Sequence, residues 1–251
     1  MKILSIGNSF SEDAHRWLHS LAKLHGVDIQ TANLYIGGCS LETHWKNFCE
    51  NNAFYDYQIN GNEAKEKISI NDALLREKWD IVTLQQVSDL SGFSESYEPY
   101  ISSLYDKVKF TLPEAEIRLH RTWAYEIDSE HPGFANYNKS QNEMFQKIKS
   151  ATKEIADKLN IKIIPTGDVI QALRENYAEF DYPNGGVSLC RDGYHLTYDI
   201  GRFAAAATWF VSLTGEKITI TKFESFDKNL IAKIVENVNN LLNCQKISYS
   251  W

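Results

Sequence analysis

Five short strand-like runs separated by stretches of helical periodicity limit this chain to one broad architecture. They lie at residues 2–6 (KILSI), 28–35 (DIQTANLY), 80–85 (DIVTLQ), 116–125 (EIRLHRTWAY) and 161–165 (IKIIP). The first is the clearest, because a strand buried on both faces reads as a brief apolar run, and this one stops at Gly7. Between them, Ala14, Trp17, Leu18, Leu21 and Leu24 recur at helical spacing until Gly26, and Phe145, Ile148, Ala151, Ile155 and Leu159 form a second apolar stripe. A third stripe, Leu230, Ile231, Ile234, Val235, Val238 and Leu241, closes the chain. Strands alternating with helices pair in parallel through right-handed crossovers, which predicts a three-layer α/β domain. No segment reads as a linker, so residues 1–251 form one domain. A small hairpin excursion is expected around 55–70, where Asn60-Gly61 is a favoured two-residue turn.

Composition narrows the class of partner. A formal charge of −7 argues against a phosphate backbone or an anionic membrane surface. No apolar stretch approaches the ~18 residues of a membrane-spanning helix. The opening run is also too short for a signal-peptide core, so the chain reads as cytoplasmic. A leader removed ahead of Met1 would leave the same text and place the protein in the periplasm or outside the cell. Cys39, Cys49, Cys190 and Cys244 show no C-x-x-C spacing and no histidine at zinc-ligand distance, and they read as buried free thiols. No metal site, P-loop or dinucleotide fingerprint is present, so no cofactor is expected.

The segment after the first run, GNSFSEDA (7–14), displays two serines where open α/β sheets place their ligands. Ser9-Phe10-Ser11-Glu12 has the form of a capping box, which would tie Ser9 to a backbone amide. Ser11 is an equally good cap, since Glu12 and Asp13 then fall in the first helical turn. In that case Ser9 sits one step earlier, free to act as a nucleophile. Near the other end, LCRDGYHLT (189–197) sets Asp192 three residues ahead of His195 across Gly193. A serine hydroxyl needs a base within hydrogen-bond reach, and the base needs an acceptor on its other ring nitrogen. Asp192 can supply that acceptor locally.

GNSFS (7–11), IGGCS (36–40) and RDGYHLT (191–197) together resemble the sequence blocks of the SGNH (GDSL-like) hydrolase superfamily, in a little-characterised branch. The resemblance implies an α/β/α fold with a flavodoxin-like parallel sheet of five strands in the order 2-1-3-4-5. It also implies Ser9 as nucleophile, His195 as general base and acid, and Asp192 as its orienter. The backbone amides of Ser9 and Gly38 would donate to the oxyanion. Two positions depart from the pattern. Asn8 stands where the first block has Asp, and Thr83-Leu84-Gln85-Gln86-Val87-Ser88 replaces the G-x-N-D block, whose Asn is the third oxyanion donor. A glutamine amide can donate the same bond, so Gln85, ahead of Gln86, takes that role.

Around this centre, His44-Trp45, Trp123, Tyr125 and Gln86 are the expected substrate-binding residues, since planar side chains at the sheet edge suit a sugar ring or an acyl chain. Tyr35, Tyr100 and Tyr194 could reach the rim. His120 reads as a core histidine, and DSEHPGF (128–134) as a rim or lid with an exposed His131. The resemblance implies hydrolysis of O-acyl esters, O-acetyl foremost, on a small molecule or glycan. Two rivals stand beside it: a degenerate member that binds acylated glycans without cleaving them, and a flavodoxin-like binder of phosphate or flavin mononucleotide.

Overall fold

A computed structural model describes the backbone of residues 1–248 and the side chains of residues 1–242. Seven strands form one sheet: β1 (Lys2–Gly7), β2 (Gln30–Tyr35), β3 (Tyr55–Ile59), β4 (Lys67–Ile68), β5 (Ile81–Leu84), β6 (Glu116–His120) and β7 (Lys162–Ile164). Their order is β4-β3-β2-β1-β5-β6-β7. The five runs read from the sequence are β2-β1-β5-β6-β7, parallel and in the expected 2-1-3-4-5 order. The sheet is nevertheless wider than five strands, because the 55–70 excursion is part of it. β3 adds antiparallel to β2, and β4 to β3. Asn60 and Gly61 both take positive φ, but seven residues separate β3 from β4, so they are not a two-residue hairpin.

The strands are shorter than the runs, because pairing ends where the chain must turn into the next layer. After β6 the backbone leaves the ladder at Arg121, whose carbonyl accepts the Gly167 amide at 3.0 Å. The first helical stripe is two helices, α1 (Ser9–His15) and α2 (Leu18–Leu24), broken at Arg16-Trp17. The second and third stripes are α6 (Gln141–Leu159) and α9 (Lys228–Ser248). The remaining helices are α3 (Leu41–Cys49), α4 (Ile70–Arg76), α5 (Tyr100–Thr111), α7 (Thr166–Asn176) and α8 (Ile200–Thr214).

Alternation along β1 divides the core. Ile3 joins one cluster with residues of α1, α2, α7, α8 and α9, while Leu4 and Ile6 join another with residues of α3, α4 and α5. Each such aliphatic side chain removed from water contributes about 2 kcal/mol. α8 lies in the first cluster, buried along almost its whole length, and Ala204–Ala207 let its neighbours approach closely. Cys39 and Cys190 are buried free thiols, whereas Cys49 is exposed, contrary to expectation; the Cys244 side chain lies outside the described residues. Among the described residues, no helix is long and apolar enough to cross a membrane.

Candidate active site

β1 delivers its last residue, Gly7, against the start of α1. A Cβ there would lie 2.0 Å from Ser11 Oγ, so only glycine allows the close approach. Neither Ser9 nor Ser11 is the N-cap. Asn8 is: its Oδ1 accepts the Phe10 amide at 3.0 Å, and its own amide donates to Ser11 Oγ at 3.1 Å. Ser9 therefore begins the helix, where its N–H has no intrahelical acceptor and its hydroxyl is not spent on capping.

The loop carrying Asp192 and His195 folds into a tight turn. Gly193 sits at φ +83°, with Ser129 Cα 2.9 Å from where a Cβ would be, and the Arg191 amide donates to the His195 carbonyl at 2.8 Å. Asp192 Oδ1 accepts the backbone amides of Tyr194 (3.2 Å) and His195 (2.7 Å), and Oδ2 lies 2.7 Å from His195 Nδ1. Partial burial works to raise the Asp192 pKa. Hydrogen bonds from the His195 ring and backbone outweigh it and hold the carboxyl below the usual range. With Nδ1–H committed to Asp192, the lone pair on Nε2 faces Ser9 Oγ at 2.9 Å. The three side chains, 186 residues apart at their extremes, thus form one hydrogen-bonded line.

Buried contacts dock this loop onto α1. Asp13 accepts from Arg202 Nε of α8 at 2.7 Å, from Arg191 Nη1 at 3.2 Å and from the Leu196 amide at 2.8 Å. Arg191 also donates to the Leu196 carbonyl. On the other flank, Trp123 Nε1 donates to the Tyr194 carbonyl at 2.7 Å, and the Trp123 ring stacks on Phe10 with centroids 4.2 Å apart. Sequence reasoning missed Asp13, Arg191 and Arg202. The one available signal was an acidic residue four positions after Ser9, which reads equally well as a dipole-favouring first-turn residue.

This hydrogen-bonded line opens into a cleft of about 360 Å³. Asn8, Ser9 and Phe10 line it from α1, Tyr35, Gly37 and Gly38 from the segment after β2, and Val87, Ser88 and Asp89 from the segment after β5. His131, Tyr194 and His195 complete the wall. Gly38 holds φ +62°, and nothing lies within 4 Å of where its Cβ would be, so the cleft is open in front of it. Tyr35, Tyr194 and the 128–134 loop reach the rim; Tyr100 does not.

The side chains expected to bind substrate do not line this cleft. Gln85, expected as an oxyanion donor, is buried: Nε2 donates to Asn8 Oδ1 at 2.6 Å and Oε1 lies 2.8 Å from His120 Nδ1, so its amide is spent beneath the cleft rather than lining it. Gln86 is a staple: Oε1 accepts the amides of Leu41 and Val87 (3.0 and 2.8 Å), and Nε2 donates to the Ser96 carbonyl at 2.8 Å. Trp123 is drawn under the 191–197 loop by its indole bond, and Tyr125 is fully buried with its hydroxyl 2.7 Å from Ser88 Oγ. His44 is buried beside Tyr55, with Nδ1 2.9 Å from that hydroxyl, and Trp45 stacks on Phe48. In each case a buried polar partner or an aromatic neighbour competes for the side chain, and the cleft loses.

Residues 2–238 match the family model described as a domain of unknown function, DUF4886. The chain belongs to the DUF4886 family. A DUF4886 protein from Bacteroides uniformis, known from its crystal structure, is 36% identical over 97% of this chain and 95% of that one, with a TM-score of 0.88. A protein from Slackia heliotrinireducens described as an SGNH hydrolase shares 21% identity over 84% of this chain and 97% of that one, TM-score 0.58. An acetylxylan esterase from Geobacillus stearothermophilus shares 15% over 88% of this chain and 97% of that one, TM-score 0.54. A search of curated proteins finds no match. This DUF4886 chain shares the fold of these SGNH-type neighbours, with β3 and β4 widening the sheet beyond its five parallel strands.

Proposed function

We propose that this DUF4886 chain is a serine esterase that hydrolyses O-acyl esters, O-acetyl foremost, carried on a carbohydrate. The observation that supports it most is the line Ser9 Oγ–His195 Nε2–His195 Nδ1–Asp192 Oδ2, with links of 2.9 and 2.7 Å, opening into a cleft. In the first step His195 takes the Ser9 proton as Oγ attacks the ester carbonyl. The tetrahedral oxyanion meets the N–H groups of Ser9 and Gly38, each costing on the order of 10²–10³ in turnover if lost. The intermediate collapses by releasing the alcohol, which takes the proton from His195. A water then attacks the acyl-enzyme, giving its proton to His195, and Ser9 departs with that proton as the carboxylic acid is freed. Asp192, ionised because of its hydrogen bonds, keeps the ring in the productive tautomer and offsets its charge.

The test is Ser9→Ala. The variant should keep its far-ultraviolet circular dichroism, lose hydrolysis of p-nitrophenyl acetate by more than about 10³-fold, and lose labelling by a fluorophosphonate. Wild-type protein that neither turns over the ester nor takes the label would favour a binder of acylated glycans and end the esterase reading.

A further inference from the structure

We infer that Asp89 and His131 form the subsite for the alcohol part of the ester and select neutral, hydroxyl-bearing alcohols over anionic ones. This rests on the esterase reading of the same cleft. Strand order puts the segment after β2, with Gly38, on one side of Ser9, and the segment after β5, with Asp89, on the other. The carbonyl oxygen belongs on the Gly38 side. The departing alcohol belongs near His195, which must protonate it.

From His195 a run of rings leads to Asp89. Tyr194 lies 4.2 Å from the His195 ring and His131 4.7 Å from Tyr194. Asp89 in turn packs against Gly133, with Asp89 Cβ 2.2 Å from where a Gly133 Cβ would be. The backbone holds Asp89 in place, because its carbonyl accepts the Tyr137 hydroxyl at 3.0 Å. Its carboxylate has no hydrogen bond or ion pair among the described residues, and Asp89 lines the cleft. His131 Nδ1 accepts the Gly133 amide at 3.1 Å, so the neutral ring carries its proton on Nε2, which has no hydrogen-bond partner among the described residues. An acceptor at Asp89 and a donor at His131, both packed beside Gly133, match neighbouring hydroxyls of a polyol.

Charge supplies the selection. Among the described residues no lysine or arginine lines the cleft, so a carboxylate or phosphate placed beside Asp89 meets its charge without a cation in the wall. An acetylated neutral glycoside with a free neighbouring hydroxyl fits. A uronate, a phospholipid or a coenzyme A thioester is repelled.

The experiment compares kcat/KM for p-nitrophenyl acetate, a mono-O-acetyl methyl xyloside and the matching acetylated methyl glucuronoside, using wild type, Asp89→Asn and His131→Ala. Wild type should prefer the xyloside ester to the glucuronoside ester by tenfold or more. Each substitution should lower the xyloside value, chiefly through KM, on the order of tenfold further than it lowers p-nitrophenyl acetate hydrolysis. Asp89→Asn should also narrow the neutral-to-anionic ratio, while His131→Ala should not. Equal losses on both substrates, or a wild type indifferent to the glucuronate charge, would overturn the subsite and leave the esterase standing. Wild type inert toward p-nitrophenyl acetate would remove both.

Discussion

Acid should unfold this protein early, and three histidines set the scale. His15, His44 and His120 are buried, and burial pushes each pKa from 6.5 down to about 3, with the neighbouring His15 adding to the effect at His120. Their partners explain why the neutral form is held. His15 Nε2 meets Ser5 Oγ at 2.9 Å while Nδ1 has no partner, and His44 Nε2 likewise has none, so a second N–H on either ring would be buried unpaired. Because the folded pKa lies below the unfolded one, the unfolded chain takes up protons that the folded chain refuses. The stabilisation is complete above pH 6.5 and is lost as pH falls toward 3.

One proton is worth about 1.4 kcal/mol per pH unit, so three give a slope of about 4 kcal/mol per unit once the unfolded histidines are charged. Integrated from pH 6.5 to 5, the loss is about 5 kcal/mol, against a total stability of about 5–15 kcal/mol for a typical domain. That window lies above the ordinary range of Asp and Glu, so carboxylates add little to it. Urea unfolding at pH 7.0, 6.0, 5.5 and 5.0, followed by circular dichroism, measures the slope directly. His44→Asn should flatten it by about a third whatever the variant does to stability at pH 7. A slope under about 1.4 kcal/mol per unit between pH 6 and 5, the value for a single proton, would refute the reasoning.

Asn8→Asp should cost both stability and turnover, since a carboxylate keeps the bonds from Phe10 and Gln85 but sets an oxygen against the Cys39 carbonyl that now accepts at 3.2 Å. A displaced Gly38 segment should lower kcat on p-nitrophenyl acetate on the order of a hundredfold with KM little changed, read by steady-state kinetics. Asp13→Asn leaves two arginines facing an uncharged amide in a fully buried site. The expected destabilisation is about 3–5 kcal/mol, seen as a fall in Tm of roughly 10 °C by calorimetry.

Much of the fold was legible because β1, β5 and β7 must be short and apolar to lie between two helical layers, and α6 and α9 show a stripe because each buries only one face. α8 escaped for the opposite reason. The stretch GRFAAAATWFVS is apolar on every side, and a helix buried all round has no period to detect. The hairpin at 55–70 was legible, but not that it joins the sheet, because Asp56, Gln58 and Lys67 among its apolar residues read as a solvated excursion rather than as strands paired to β2. In the site, the Asp192–His195 pair was legible through its three-residue spacing, and its meeting with Ser9 only through the resemblance to the SGNH blocks. The cleft walls were not. Whether an aromatic after a strand faces the cleft or the core depends on partners far along the chain, as Trp123 shows by donating to Tyr194, 71 residues away.

The two departures from the SGNH blocks, Asn8 and Gln85, make sense as one interaction. Gln85 Oε1 can only accept, so His120 Nδ1 carries the ring proton, and the neutral Nε2 accepts from the Thr166 hydroxyl at 2.9 Å. Hydrogen bonds then run one way, from Thr166 to His120 to Gln85 to Asn8 to the Cys39 carbonyl, ending at the segment that presents Gly38. A chain of bonds pointing in one direction polarises and stiffens its members. An aspartate at position 8 has no proton to pass to Cys39, and a shorter amide at position 85 has one methylene less with which to reach Asn8. Gln85 thus acts on the site beneath the cleft rather than in it, by fixing the cap from which Ser9 and the Gly38 segment are both held.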